Sequence, residues 1–455
     1  MRRRPVALVA ATALVVGISA GGTAPAAAVQ AGPQDAGQGP PTSQGQPFLD
    51  RLDLQERLDL QERLEQRDRP EQQRQAPGTE VPRPTHGDGD RESRQRERAL
   101  DRAAQGLVED GAVGVTARVD SPGFSWRGSA GHREIDRRPQ ARPQDRFRVG
   151  SISKTMVATV ALQEIERGHL ALDTKVEDIV PGLFPGQPDV TVEHLLSHRS
   201  GAQTASVELI ATRMTDLSDW NQFIAALGED YTPQDHLDVV NALPWLFAPG
   251  TDFSYSNAGY VALGVVLEEV TGEDLGDLLE DRVFDEAGMH HSSFPDEPQH
   301  GGRFLTGAMW TGGTDVGGLG WQSLRGFDPD VFDAAGAVVS TTRDLNRFAE
   351  ALTSGELVDE ELVQEMVTPR TGDVGGYGLG IYRVPDPCTG PGEAPQWIYG
   401  HDGLTFGTAA LVFSSADGTR QVSLGATGRD MTSAQPLTYD VNELLGPMLE
   451  ATCES

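Results

Sequence analysis

Phe147-Arg148-Val149-Gly150-Ser151-Ile152-Ser153-Lys154 decides how this chain is read. It places a serine at the head of an apolar run, Met156 to Ile165, with helical spacing, and a lysine three residues after that serine. Two residues three apart on a helix share one face, so the Ser151 hydroxyl and the Lys154 amine would meet one turn apart. Lys154 and Lys175 are the only lysines in 455 residues; every other strongly basic residue is arginine. Arginine stays charged, whereas a desolvated lysine can give up its proton and serve as a base. Ser151 is therefore the candidate nucleophile and Lys154 the group that activates it.

Outward from this stretch, strand and helix signals fall in a definite order. A helix is expected near residues 101–110. Two alternating segments, 112–119 and 123–129, split by Asp120-Ser121-Pro122, read as a hairpin. From about Leu170 to Glu365 the pattern is mostly helical, broken by Pro and Gly. Strand signal returns near Tyr377 and is plain at 408–413 and 421–425, joined around Asp417-Gly418. A final helix is expected from about Pro436 to Ala451. The expected fold is α+β: one antiparallel sheet built from both chain ends and flanked by helices, with an inserted, mostly helical lobe. A site is expected in the cleft between lobe and sheet.

The N-terminus reads as an address. Arginines at positions 2–4, an apolar run from Val6 to about Ala20 and Ala26-Ala27-Ala28 make residues 1–28 a secretory signal peptide. The run is too short to span a bilayer. Residues 29–98, rich in Gln, Arg and Pro and carrying the tandem copy 53–58 and 59–64, read as a disordered linker, leaving 99–455 as the catalytic domain. The expected product is a secreted, extracellular, monomeric protein.

The first hundred residues hold fourteen arginines and fourteen acidic residues, so the formal charge of −31 falls on the rest. So acidic a domain excludes nucleic acid and anionic membrane surfaces as partners, since both are bound through clustered Lys and Arg. The two cysteines, Cys388 and Cys453, are expected to form one disulfide in an oxidising compartment. No cofactor is expected. No metal is expected either: His290-His291 lacks partners at ligand spacing, and the aspartates at 88, 90, 328 and 330 lack the spacing of a calcium loop. His198 is expected to fix a turn by bonding to backbone.

Two further clusters join Ser151 and Lys154. Tyr255-Ser256-Asn257 opens an apolar helix, and Tyr399-Gly400-His401-Asp402-Gly403 precedes the last hairpin. With these three motifs in this order the chain resembles the serine hydrolases of the penicillin-binding fold, nearest to secreted D-alanyl-D-alanine carboxypeptidases and their class C β-lactamase relatives. The resemblance runs from about Ala99 to the C-terminus and includes residues 145–150, 195–201 and 340–345. A Ser-Asp-Asn motif is replaced by Ser218-Asp219-Trp220, which favours the tyrosine-type branch.

The resemblance implies that Lys154 and Tyr255 share the proton taken from Ser151. Asn257 would hold Lys154 and the substrate amide, and His401 would fill the cationic or hydrogen-bonding place of the third motif. The N–H groups of Ser151 and Leu404 would form the oxyanion hole. Gly403 would keep the strand clear for substrate. The carboxypeptidases resembled here carry a threonine and a further hydroxyl where this chain has Asp402 and Leu404, and their preceding-strand arginine has only Arg383 as a counterpart. Asp402 would repel a free carboxylate. The implied function is a D-alanyl-D-alanine carboxypeptidase or related D-stereospecific peptidase acting through an acyl-enzyme, with small peptides, amides or esters, including peptidoglycan stem peptides, as substrates. An esterase, a β-lactamase or a non-catalytic peptidoglycan-binding module are the alternatives.

Overall fold

The computed structural model describes residues 88–136, 139–298, 302–314, 318–371, 376–390, 393–433 and 437–453. The expected signal peptide, the tandem copy and all of the expected linker up to residue 87 lie outside these. Strand β1 (Gly114–Ser121) buries Val115, Ala117 and Val119 on one face and Thr116 on the other. It pairs with β2 (Phe124–Gly131) through the two-residue turn Pro122-Gly123, since Ser121 is opposite Phe124. The turn thus falls two residues later than Asp120-Ser121-Pro122, because Pro followed by Gly fits the central positions of a tight turn.

The main sheet has six strands in the order β2-β1-β10-β9-β8-β7, every pair antiparallel, with β7 Tyr382–Pro385, β8 Trp397–Leu404, β9 Thr408–Ser415 and β10 Gln421–Thr427. The N-terminal hairpin joins the C-terminal strands through β1 and β10, so both chain ends build one sheet. Two small sheets went unread in the sequence. One pairs β3 (Phe147–Arg148) with β6 (Val339–Ser340); the other joins β4 (Ala308–Trp310), β5 (Trp321–Ser323) and β11 (Arg429–Asp430). Strands of two or three residues carry no periodicity to detect.

Helix α1 (Asp88–Glu109) starts well before residue 101, and its first eleven residues fall in the stretch expected to be linker. Its first buried residue is Leu100, followed by Ala104 and Leu107 on the same stripe. Helix α2 (Ile152–Glu166) is different: thirteen of its residues are buried, on all sides. It runs between the sheet and a helical lobe that includes α3 (Asn257–Thr271). Helix α4 (Thr342–Thr353), capped by Thr341, packs on β9 and β10, while α1 and α5 (Asn442–Ala451) pack on each other and on β1. Helix α5 begins six residues later than expected. Cys388 and Cys453 form the expected disulfide, which ties the end of α5 to the segment after β7 (S–S 2.07 Å). Among the described residues no helix is long and apolar enough to cross a membrane.

Candidate active site

Ser151 occupies the cap position of α2, with helical φ and ψ of −61° and −8°. Gly150 before it has φ +57°, which favours glycine, and a Cβ there would lie 3.0 Å from the Leu404 nitrogen. The end of β8 therefore presses directly on the nucleophile's turn. A Cβ on Gly403 would sit 1.9 Å from the Val149 carbonyl oxygen and 2.9 Å from the Ser151 nitrogen. Gly403 is thus explained by the protein's own backbone rather than by access for substrate.

Strand geometry directs one N–H into this gap. Thr405 donates to the Thr408 carbonyl across to β9. N–H directions alternate along an antiparallel strand, so that of Leu404 points away from β9. Strand β7 pairs with β8 only as far as Gly400, so among the described residues no strand covers Leu404 on that side. The Ser151 N–H, at a helix N-terminus, adjoins the same gap.

Lys154 is fully buried. Its Nζ contacts Asn257 Oδ1 at 2.7 Å, the Ala335 carbonyl at 2.8 Å and Ser151 Oγ at 3.1 Å. Burial pushes the amine well below its ordinary range, against a smaller opposing pull from Asp402. A neutral amine has two N–H groups and one lone pair. The first two contacts are pure acceptors and take the N–H groups; the third is a hydroxyl, which can donate to the lone pair. Asn257 is itself fixed, donating from Nδ2 to Ser206 Oγ at 2.8 Å and from its backbone N–H to Thr204 Oγ1 at 3.2 Å.

Tyr255 lies with its ring centroid 4.7 Å from Lys154 Nζ. Its hydroxyl is beside Ser151 yet has no hydrogen bond of good geometry to any group. Burial raises the phenol well above its usual range, so it stays protonated.

Of the two places expected for His401, cationic or hydrogen-bonding, the third motif shows the second. His401 is buried, and burial pushes its imidazole down to about 3, so it is neutral. Its Nε2 meets the Tyr377 hydroxyl at 3.1 Å and its Nδ1 meets the Asp402 carbonyl. With both nitrogens engaged inside the protein, His401 offers substrate no cation. Asp402 Oδ1 accepts from the Tyr382 hydroxyl at 3.1 Å, and burial raises its carboxyl to about 6. Arg383 turns to the other end of its strand, its guanidinium 4.1 Å from the Trp397 ring centroid. Neither it nor His401 supplies positive charge beside Asp402.

The structure thus brings together Ser151, Lys154, Tyr255, Asn257, Gly403 and Leu404, and places His401 and Asp402 on the adjoining strand with partners of their own. Cys388 and Cys453 serve the fold. Sequence reading missed Ala335, Ser206, Tyr377 and Tyr382; of these only the tyrosines, in the stretch expected to carry strand near Tyr377, left any signal, and the strand itself begins only at Tyr382. Among the described residues no group of His, Cys, Asp or Glu is arranged to hold a metal ion.

The sequence matches the Beta-lactamase family over residues 97–422. It is 32% identical over 212 residues to Penicillin-binding protein 4 of Amycolatopsis lactamdurans, covering 45% of this chain and 49% of that protein. It is 28% identical over 334 residues to Esterase EstB of Burkholderia gladioli, covering 65% and 83%. The chain spans about half the length of the penicillin-binding relatives it matches, 49% to 58%. Among solved structures it resembles a D-stereospecific amidohydrolase from Streptomyces sp. (TM-score 0.66, 25% identity, 77% of this chain and 97% of that one). D-amino acid amidase from Ochrobactrum anthropi SV3 shares the fold at TM-score 0.65 and 22% identity, over 78% of this chain and 98% of that one. With its match over residues 97–422 and its serine, lysine and tyrosine side by side, the chain belongs to the beta-lactamase family of serine hydrolases.

Proposed function

We propose that this domain hydrolyses D-configured amides or esters through an acyl-enzyme on Ser151. The observation that carries this reading is the contact set of Lys154, whose two short partners can only accept and whose third is the Ser151 hydroxyl. The neutral amine takes the Ser151 proton as Oγ attacks the substrate carbonyl. The developing oxyanion is held by the N–H groups of Ser151 and Leu404. Tyr255, a neutral phenol beside Ser151, hands a proton to the departing amine or alkoxide. Water then attacks the acyl carbon, giving a proton to the Tyr255 phenolate left by the first step, and Lys154 returns its proton to Ser151 Oγ as the acyl bond breaks.

The third motif argues about substrate. A carboxypeptidase must grip a free carboxylate next to the scissile bond, and here that neighbourhood has a neutral His401 and an acidic Asp402. Substrates ending in an amide or ester avoid the repulsion. The names of two relatives, a D-stereospecific amidohydrolase and an esterase, support the same class. Residues 1–28 fit export, after which stem peptides of peptidoglycan would be within reach; the Cys388–Cys453 bridge suits an oxidising compartment.

Labelling with a fluorescent penicillin, followed by a panel of D-Ala-D-Ala peptides, D-amino amides and short-chain esters with their L counterparts, tests the proposal. D-amides or esters should exceed free acids in kcat/KM. A preference for the free acid would restore the carboxypeptidase reading, and no labelling or turnover of any member would leave a binding module.

A further inference from the structure

His198 belongs to none of the three motifs, and it is held in the left-handed region at φ +58°. A non-glycine residue stays there only when its surroundings insist. Those surroundings include the backbone N–H groups of the two residues that flank Tyr255. The Ser254 N–H donates to the His198 carbonyl at 3.0 Å, and the Ser256 N–H donates to His198 Nδ1 at 3.1 Å. The imidazole also lies against the Tyr255 ring, centroids 4.1 Å apart and planes 37° from parallel.

The direction of the next bonds follows from the first. Nδ1 accepts from a backbone donor, so the neutral imidazole carries its proton on Nε2. Nε2–H then donates to the Tyr377 hydroxyl at 3.1 Å, which frees the Tyr377 proton for His401 Nε2, also at 3.1 Å. His401 must then carry its proton on Nδ1, where the Asp402 carbonyl accepts it. His198, Tyr377 and His401 are all buried, so water does not compete for these bonds.

We propose that His198 is a positioning residue that, wired through Tyr377 to His401, holds the ring and backbone of Tyr255 over Ser151 and locks the second motif to the third. Tyr255 needs such a clamp because its hydroxyl has only Ser151 beside it and no hydrogen bond of good geometry to hold it. Its place is set by its ring contacts and by the residues on either side, and His198 lies against the ring and bonds to the backbone of both Ser254 and Ser256. The proposal rests on the reading that Ser151 and Tyr255 carry the chemistry.

The test uses the whole protein with p-nitrophenyl butyrate as probe. His198→Asn keeps an acceptor near the Nδ1 position and tolerates the left-handed backbone, but loses the ring and the link to Tyr377. It should lower kcat by roughly 10- to 100-fold while KM stays within about twofold, the signature of a misplaced catalytic group. Tyr377→Phe should lower kcat by several-fold, with KM likewise unmoved. The double variant should fall no further than His198→Asn, since both act through one chain. In parallel, NMR of the wild type should show an exchange-protected His198 Nε2–H proton that Tyr377→Phe exposes.

A folded His198→Asn protein with wild-type kcat overturns the proposal, as does strict additivity in the double variant or a His198 proton on Nδ1. Should His198→Asn fail to fold, Tyr377→Phe decides: full kcat there overturns it. Ser151→Ala separates the two levels. Activity surviving that change sinks the active-site reading, whereas its loss together with an unaffected His198→Asn sinks only this one, and the NMR arm needs no turnover.

Discussion

The start of helix α2 and the end of strand β8 meet at Ser151, and each brings a buried basic side chain, Lys154 and His401. Burial strips both of charge, pushing Lys154 well below its ordinary range and His401 down to about 3. Their partners then separate them. Lys154 is left with one lone pair aimed at a hydroxyl that can donate; His401 has a partner on each nitrogen, Tyr377 and the Asp402 carbonyl. Desolvation alone therefore does not make a base. A base also needs a valence left open toward the reacting group.

The sharpest way to break this comparison is Ser151→Ala, which removes the atom both elements surround. Turnover should fall by about 10⁴ or more with the thermal transition unchanged. Residual activity above roughly a thousandth of wild type would mean that another group attacks.

Lys154→Arg should be nearly as damaging as Lys154→Ala, costing about 10²- to 10⁴-fold in kcat, because a guanidinium cannot become a neutral base. An arginine variant that kept most of its rate would show that Lys154 acts by charge, as His401 does not.

On the strand side, Gly403→Ala should destabilise by about 1–3 kcal/mol, read as a lowered Tm, because its Cβ would meet the Val149 oxygen at 1.9 Å. An unchanged Tm would mean that β8 can retreat from the nucleophile's turn without penalty.

The smallest effect concerns specificity. Asp402, raised to about 6, is protonated below that pH and anionic above it. Discrimination against a free-acid substrate should thus grow as pH rises through about 6, while His401, neutral well below this range, adds no inflection. Asp402→Thr should abolish that pH dependence and shift the acid-to-amide ratio of kcat/KM toward the acid, by up to about 1–3 kcal/mol. A ratio that does not move would place Asp402 out of range of the substrate's end.

Much of this was legible beforehand. The Ser151-Lys154 spacing, the sheet made from both chain ends, the last hairpin at Asp417-Gly418 and the pairing of the two cysteines all rest on local pattern or simple counting, and all are present. Misplaced boundaries have local causes. Between Arg91 and Ala99 helix α1 has no fully buried residue, so no apolar stripe announced its start. Gly403 pointed to a close approach, but which backbone approaches was not in the strand's own residues.

By itself the sequence determined which groups could react: a serine and a lysine one helical turn apart, a tyrosine and an asparagine at a helix start, a histidine before a glycine on a strand. Only the tertiary structure decided which of them are free to do so. The acceptors that orient Lys154 come from residues 103 and 181 positions away, and the Tyr377 hydroxyl that occupies His401 Nε2 is 179 residues from the His198 ring that feeds it. Side-chain periodicity reports burial along one element. Hydrogen-bond valence is settled between elements, by whichever distant donor or acceptor the fold places there.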